Sequence, residues 1–215
     1  IGEYGADAFR LYEMFMGPLE RTKPWNTQSI EGITRFLNRV WHLFVDDEGL
    51  VKNDIQDVTM SDEILTILHK TIKKVKEDTE NIRYNTGISQ LMVFVNEMNK
   101  QKVKPRAALE TFLHLLNPLA PHISEELWKI LGHEEDLAYL PYPEYEEKYC
   151  VDNTVTIGVQ INGKVRGQLT IAKDASKEKH LKLAKEIENV QKFLEGKKII
   201  KEIVIPGKII NLVVK

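Results

Sequence analysis

The spacing of apolar residues changes along this chain, and that change constrains the fold more than any other feature. Through Lys129 apolar residues recur at helical intervals, whereas from Val155 they alternate with polar ones. The first pattern belongs to helices with one buried stripe, the second to strands with one buried face. The chain is therefore read as multidomain: an all-α helical bundle followed by a small α+β domain. Charge divides at the same place. Residues 153–215 hold 13 Lys and Arg against 6 Asp and Glu, a net of +7, which leaves −9 for the preceding part of a chain whose overall charge is −2. A basic block beside an acidic one implies modules with different partners. The basic block is either a holder of phosphates or a lysine-rich surface that only keeps a small domain soluble.

In the first module, Phe9, Tyr12, Glu13 and Met16 keep a helical spacing that Gly17-Pro18 ends. A loop through Pro24 and Trp25 precedes a helix over about 29–44, with Ile33, Phe36, Leu37, Val40, Trp41 and Phe44 as its stripe. Residues 45–60 are acidic and irregular. Ser61 is a good N-cap, followed by Asp62 and Glu63, for a helix running to about Tyr84. Its core face is Ile64, Leu65, Leu68, Ile72, Val75 and Ile82. A helix over about 86–99 turns Ile88, Leu91, Met92, Val95 and Met98 inward. The last runs from Pro105, in its first turn, to Leu116, breaks at Asn117-Pro118 and resumes over about 124–131. Residues 132–152, with Pro141, Pro143, Tyr139, Tyr142, Tyr145 and Tyr149, lack helical periodicity and read as a linker.

In the second module, Val155, Ile157, Val159 and Ile161 form a strand, Asn162-Gly163 a hairpin turn, and Val165, Leu169 and Ile171 the return strand. Asp174-Ala175-Ser176 opens one helix to about Leu194, and Gly196 stops it. A second hairpin follows around Pro206-Gly207, so the expected order is ββαββ.

Several kinds of chemistry find no residues. Gly158, Gly163 and Gly167 lie in strands or a turn, not before a helix, so no phosphate-cradling loop is present. His42, His69, His114, His122, His133 and His180 never fall in a metal-ligand spacing, and no metal or catalytic residues are expected. Cys150 is the one cysteine, which fits a cytosolic location. No run of about 18 uncharged apolar residues exists, so no membrane contact is expected. The start, Ile1-Gly2-Glu3-Tyr4, is neither an initiator Met nor a signal peptide, and the expectation is a chain that begins inside a longer protein.

Two sets of residues could meet a polyanion. Arg35, Arg39 and His42 share one side of a helix, either a solvated face or a row of donors along an RNA backbone. Lys164 and Arg166, two residues apart, leave the Asn162-Gly163 turn on one strand face, with Val165 on the opposite, inward face. That hairpin tip is either an ordinary surface turn or a prong for phosphates and ribose hydroxyls.

Several stretches together resemble one family. Tyr4-Gly5-Ala6-Asp7-Ala8-Phe9-Arg10 resembles the helix after the KMSKS loop of class I aminoacyl-tRNA synthetases. Asn117-Pro118-Leu119-Ala120-Pro121-His122-Ile123-Ser124-Glu125-Glu126-Leu127-Trp128, with Arg83-Tyr84-Asn85-Thr86 and Val93-Phe94-Val95-Asn96, is similar to their helical anticodon-binding domain. Three stretches narrow the likeness to bacterial-type leucyl-tRNA synthetases. They are residues 11–20 followed by Lys23-Pro24-Trp25, residues 159–167, and Val204-Ile205-Pro206-Gly207-Lys208 with Asn211-Leu212-Val213-Val214.

The resemblance covers essentially the whole chain and implies a C-terminal part: a stem-contact helix and loop over 1–26, an anticodon-binding bundle over 27–131, a linker over 132–152 and a tRNA-binding domain over 153–215. The family's HIGH and KMSKS signatures, nucleotide-binding core and editing insertion are absent. The resemblance thus implies a part that grips leucine tRNA at its elbow and inner side. The catalytic and editing domains of the parent chain would use ATP and Mg²⁺ to join leucine to that tRNA. No cofactor is expected in this part. RNA contact is expected from Asn162, Lys164, Arg166, Lys197, Lys198 and Lys208, then Arg35, Arg39 and His42. The linker is expected to let the last domain swing. A free-standing RNA-binding factor and a purely structural helical domain are the other readings.

Overall fold

Three helix starts in this protein fall where a side-chain oxygen captures a free backbone amide. A computed structural model describes residues 2–22, 24–151, 154–172, 175–205 and 207–215. These fall into two compact units, Ile1–Val151 and Asp152–Lys215.

The first unit contains α1 (Ala6–Phe15), α2 (Thr27–Phe44), a two-residue strand β1 (Ile55–Gln56), α3 (Asp62–Glu80), α4 (Tyr84–Lys100), a two-residue strand β2 (Lys104–Pro105), α5 (Arg106–Leu116) and α6 (Pro121–Ile130). The Ser61 hydroxyl accepts the Ile64 amide at 3.4 Å and starts α3. Phe112 stacks on Phe94 at 5.2 Å and on Phe44 at 6.5 Å, so one aromatic column joins α5, α4 and α2. All three rings are fully buried. Each contributes about 1.5–3 kcal/mol by leaving water.

Several boundaries differ from expectation, each for a visible reason. Helix α3 stops at Glu80, short of Tyr84, and Ile82 is not a core residue: it takes φ 57° and is 54% exposed. The stop follows from Asp78, which has no exposed surface and draws in Lys74 Nζ at 2.9 Å and Arg83 Nε at 3.0 Å. The Arg83 amide also closes onto the Asp78 carbonyl at 2.7 Å. Pro105 caps α5 instead of entering it, because it pairs with Gln56 where β1 and β2 run parallel. Helix α6 begins at Pro121, three residues before the expected restart. The Asp7 carboxylate of α1 accepts the Ile123 amide at 2.8 Å and the His122 amide at 3.4 Å, which serves as a cap supplied from across the fold.

The expected linker is a docked strap as far as Val151. A 3₁₀ turn (Leu137–Tyr139) and a short helix α7 (Glu147–Cys150) lie in it. The Glu125 carboxylate accepts the amides of Leu137 at 2.9 Å and Ala138 at 3.0 Å, and Leu137 is only 2% exposed. Trp128 donates to the Glu135 carbonyl at 2.9 Å while the His133 ring stacks on it at 3.6 Å. Further along, the Glu146 amide donates to His69 Nδ1 at 3.0 Å, Tyr149 stacks on His69 at 4.8 Å, and Lys73 meets Glu147 at 2.7 Å. These attachments tie residues 133–150 to the first unit. They are side-chain interactions with no period, so periodicity could not reveal them.

The second unit contains β3 (Thr154–Ile161), β4 (Lys164–Ala172), α8 (Lys177–Glu186), α9 (Glu188–Leu194), β5 (Ile199–Ile205) and β6 (Ile209–Val214). The sheet order is β4-β3-β6-β5, with β3 and β6 parallel and both hairpins antiparallel. Ile157, Val159 and Ile161 of β3 and Ile210, Leu212 and Val214 of β6 bury one face with Ala184 and Val190 of the helices. The expected single helix is two, divided at Ile187, whose ψ of 119° is extended. The order is therefore ββααββ. Ser176 caps α8 by accepting the Lys179 amide at 3.2 Å. Asp174, placed by sequence at that helix start, and Pro206, placed in the last turn, lie outside the described residues, as do Lys23, Asp152 and Asn153.

Candidate nucleic-acid interface

The hairpin at Asn162-Gly163 is built by backbone sign. Both residues have positive φ, 48° and 81°, which suits a two-residue turn between twisted strands. The Asn162 side chain then spans to β6: its Nδ2 donates to the Val214 carbonyl at 3.1 Å and its Oδ1 accepts the Val214 amide at 2.9 Å. Gly163 donates to Asn211 Oδ1 at 3.2 Å. Asn162 is thus a clasp between strands, with its amide already committed on both sides.

Parallel pairing of β3 with β6 determines which cations meet. It brings the β3–β4 hairpin to the end of the sheet where β6 finishes, and Ile199 opposite Val214 places the start of β5 there too. Lys198 and Lys215 exchange backbone hydrogen bonds at 3.0 and 3.1 Å. Lys164, Lys197 and Lys198, all exposed, therefore share one end of the sheet. Lys215 joins them; sequence reasoning missed it, since the only signal was strand order. Lys208 is exposed in the β5–β6 turn at the opposite end, so the structure separates it from the others. Among the described residues, no ion pair holds Lys164, Lys197 or Lys198, whereas Lys185 and Lys192 are bound to Glu202 at 2.6 Å and Glu188 at 2.8 Å.

Arg166 departs from the simple alternation that placed it. Val159 pairs with Gly167 and Gln160 with Val165, so Arg166 is the extra residue of a β-bulge. Its guanidinium lies over the Phe193 ring of α9, 3.9 Å from the centroid. Val165 is opposite the helices and 58% exposed: it faces the uncovered side of the sheet, not inward. The inward side is set by Ile157, Val159 and Ile161, whose register partner Lys164 and bulge neighbour Arg166 lie toward the helix layer.

In the first unit, Arg35, Arg39 and His42 are all exposed along α2. Arg39 Nη2 donates to Asn96 Oδ1 on α4, so part of its fork is engaged. Lys52 Nζ reaches the His42 carbonyl at 2.7 Å and adds a fourth cation that spacing along α2 could not indicate.

The stretches that carry the family resemblance contact one another. Arg10 of the first donates to the carbonyls of Pro118 at 2.9 Å and Leu119 at 3.4 Å, while His122 Nδ1 lies 2.8 Å from Asp7. Asn117 donates to Glu125 at 3.1 Å. A helix pinned by a remote aspartate and arginine, and a corner closed around Asp78, hold these stretches in place within the fold.

This bundle, with its polar pins, defines a class. The chain belongs to the family described as the anticodon-binding domain of tRNA ligase, whose pattern matches residues 61–181. Within that class its similar relatives are leucine–tRNA ligases. That of Chlorobium phaeovibrioides is 53% identical over 212 residues, 99% of this chain and 26% of the relative. That of Leptospira biflexa is 46% identical over 214 residues, 100% of this chain and 25% of the relative. The chain thus spans about a quarter of the length of these curated relatives. Among solved structures, the ternary complex of Agrobacterium radiobacter K84 agnB2 LeuRS with tRNA and LeuAMS matches with a TM-score of 0.65 and 29% identity, over 99% of this chain and 29% of that one.

Proposed function

We propose that this chain is the tRNA-holding part of a leucine–tRNA ligase, which attaches leucine to its tRNA using ATP. The observation that carries the reading is similarity to leucine–tRNA ligases at 46–53% identity along 99–100% of the chain. The solved relative that contains tRNA supports the class of ligand. In this reading the chain supplies no chemistry of its own. It raises the rate by positioning, since holding a tRNA at a second place keeps the acceptor end within reach of a distant site. ATP and Mg²⁺ serve the parent's catalytic domain, and that domain and the editing domain are its partners in the same chain. Residues 1–26 act as the stem-contact element, 27–131 as the bundle against the inner side of the tRNA, and 153–215 as the unit on the elbow. The setting is the cytoplasm.

The contacts run through Lys164, Arg166, Lys197 and Lys198 at one sheet end, with Arg35, Arg39 and His42 along α2. Asn162 supports the hairpin. Lys208 is a separate, weaker contact. The cations meet phosphates, which set position and make affinity depend on salt. The test is competition binding of the full chain with leucine tRNA and with other tRNAs across a salt series. Preferential binding of leucine tRNA is expected, with a salt dependence that Lys164→Ala plus Arg166→Ala flattens. Equal binding of all tRNAs, or an unchanged salt slope, overturns this reading.

A further inference from the structure

Arg166 is held more elaborately than a surface arginine needs to be. As the extra residue of the bulge it is re-aimed relative to the regular strand. Asn189 of α9 donates from Nδ2 to the Arg166 carbonyl at 2.6 Å and so fixes the backbone from which the side chain departs. Phe193, one turn further along α9, lies under the guanidinium, whose Cζ is 3.9 Å from the ring centroid. Helix α9 can come this close because Gly167 has no side chain: a Cβ there would stand 3.1 Å from Ile187 and 3.2 Å from Val190.

A guanidinium held over a ring by cation–π attraction keeps N–H donors that can bond two oxygens of a phosphate. No described acid pairs with it, and the neighbouring Glu188 is engaged by Lys192 at 2.8 Å. Lys164 leaves the same hairpin, exposed.

We infer that Phe193 and Asn189 are positioning residues that present Arg166 as a pre-set, two-pronged clamp for one phosphodiester of the bound RNA. The inference rests on the tRNA-binding reading above. Pre-setting matters because an arginine otherwise gives up considerable rotamer freedom when it is immobilised. A purely structural role, in which the aliphatic stem of Arg166 covers Phe193, needs neither the fork nor the charge.

The experiment measures binding of the full chain to a leucine tRNA transcript across a salt series. The proteins compared are wild type, Phe193→Leu, Phe193→Tyr, Asn189→Ala, Arg166→Lys and Arg166→Met, with the thermal melt of each recorded. Phe193→Leu and Arg166→Met are expected to weaken binding roughly five- to twentyfold and to lower the salt slope by about 0.7–0.9, one phosphate contact. Asn189→Ala is expected to weaken binding less. Arg166→Lys should keep the slope but lose affinity, and Phe193→Tyr, which keeps the ring, should match wild type. If Phe193→Leu melts early, Asn189→Ala decides the positioning role and Arg166→Met the contact itself. Wild-type affinity and slope in Arg166→Met, or in a folded Phe193→Leu, overturn the clamp and leave the tRNA reading standing. Wild type that shows no salt-dependent binding to the transcript overturns the tRNA reading itself.

Discussion

Replacing Asp78 by asparagine removes one charge and almost no volume, so it isolates what the buried carboxylate does. Three donors converge on it: Lys74 Nζ at 2.9 Å, Arg83 Nε at 3.0 Å and the Thr86 hydroxyl. Charge-assisted bonds contribute about 1.5–3 kcal/mol each when buried. Here the cations are 43% and 56% exposed, so once released they return to water, and their share is discounted accordingly. Asparagine would also turn an N–H₂ group toward donors in a site without solvent, at about 1–3 kcal/mol. The net loss expected is about 2–4 kcal/mol. Trp25, Trp41 and Trp128 are the only tryptophans and all lie in the first unit, so fluorescence during urea unfolding reports on that unit alone. Burial pushes the Asp78 carboxyl up, but the hydrogen bonds from Lys74 and Thr86 and the charges of Lys74 and Arg83 outweigh it and hold the group below its usual 3.8. Stability from a depressed carboxyl is present above 3.8 and is lost as pH falls through the lowered value, so the gap between variant and wild type should close in acid. A loss below about 1 kcal/mol at neutral pH, or a gap that ignores acid, refutes the reasoning.

Three further outcomes are expected. Leu137→Ala, at a site 2% exposed under the strap, should cost the first unit about 2–4 kcal/mol in the same urea assay; an unshifted midpoint would mean the strap is not anchored there. Burial lowers the His69 imidazole below its usual 6.5, against the pull of Glu146 and with the push of Lys148, and neutral Nδ1 accepts the Glu146 amide. That stability is complete above 6.5 and is lost as pH falls below it, so His69→Gln, which keeps an acceptor, should flatten the decline in urea stability between neutral and mildly acidic pH. Part of the slope will persist, because burial also lowers His114; an identical slope in variant and wild type counts against the His69 contact. Gly167→Ala should destabilise the second unit by about 1–3 kcal/mol through the 3.1 and 3.2 Å approaches to Ile187 and Val190. Amide exchange in β3 and β6 should speed accordingly, and unchanged exchange would show that α9 gives way freely.

What local pattern could see, it saw: the stripes of α2 and α4, the alternation of β3 and the hairpin turn at Asn162-Gly163 each depend on residues close together in sequence. What failed depended on long-range contacts. Ile82 fits the apolar spacing of α3, yet the helix ends before it because Asp78 closes on Arg83. The α6 start needed Asp7, 115 residues away from His122. The strap looked like a linker because its anchors, Glu125, Trp128 and His69, lie outside it. At the candidate interface, Lys164, Lys197 and Lys198 were legible as cations, but their common location needed the parallel β3–β6 pairing. Arg166 was placed by alternation, and the bulge gave it a different support.

That pairing has a consequence for synthesis. The opening and closing strands of the second unit are the middle strands of its sheet. A ribosome must therefore deliver residue 214 before either has its full complement of neighbours. Until then the β3–β4 hairpin stands with an unpaired edge on β3, rich in valine and isoleucine and open to the wrong strand. Any delay in placing β6 against β3 prolongs that exposure, so the strand made last within this unit is the one that protects its first.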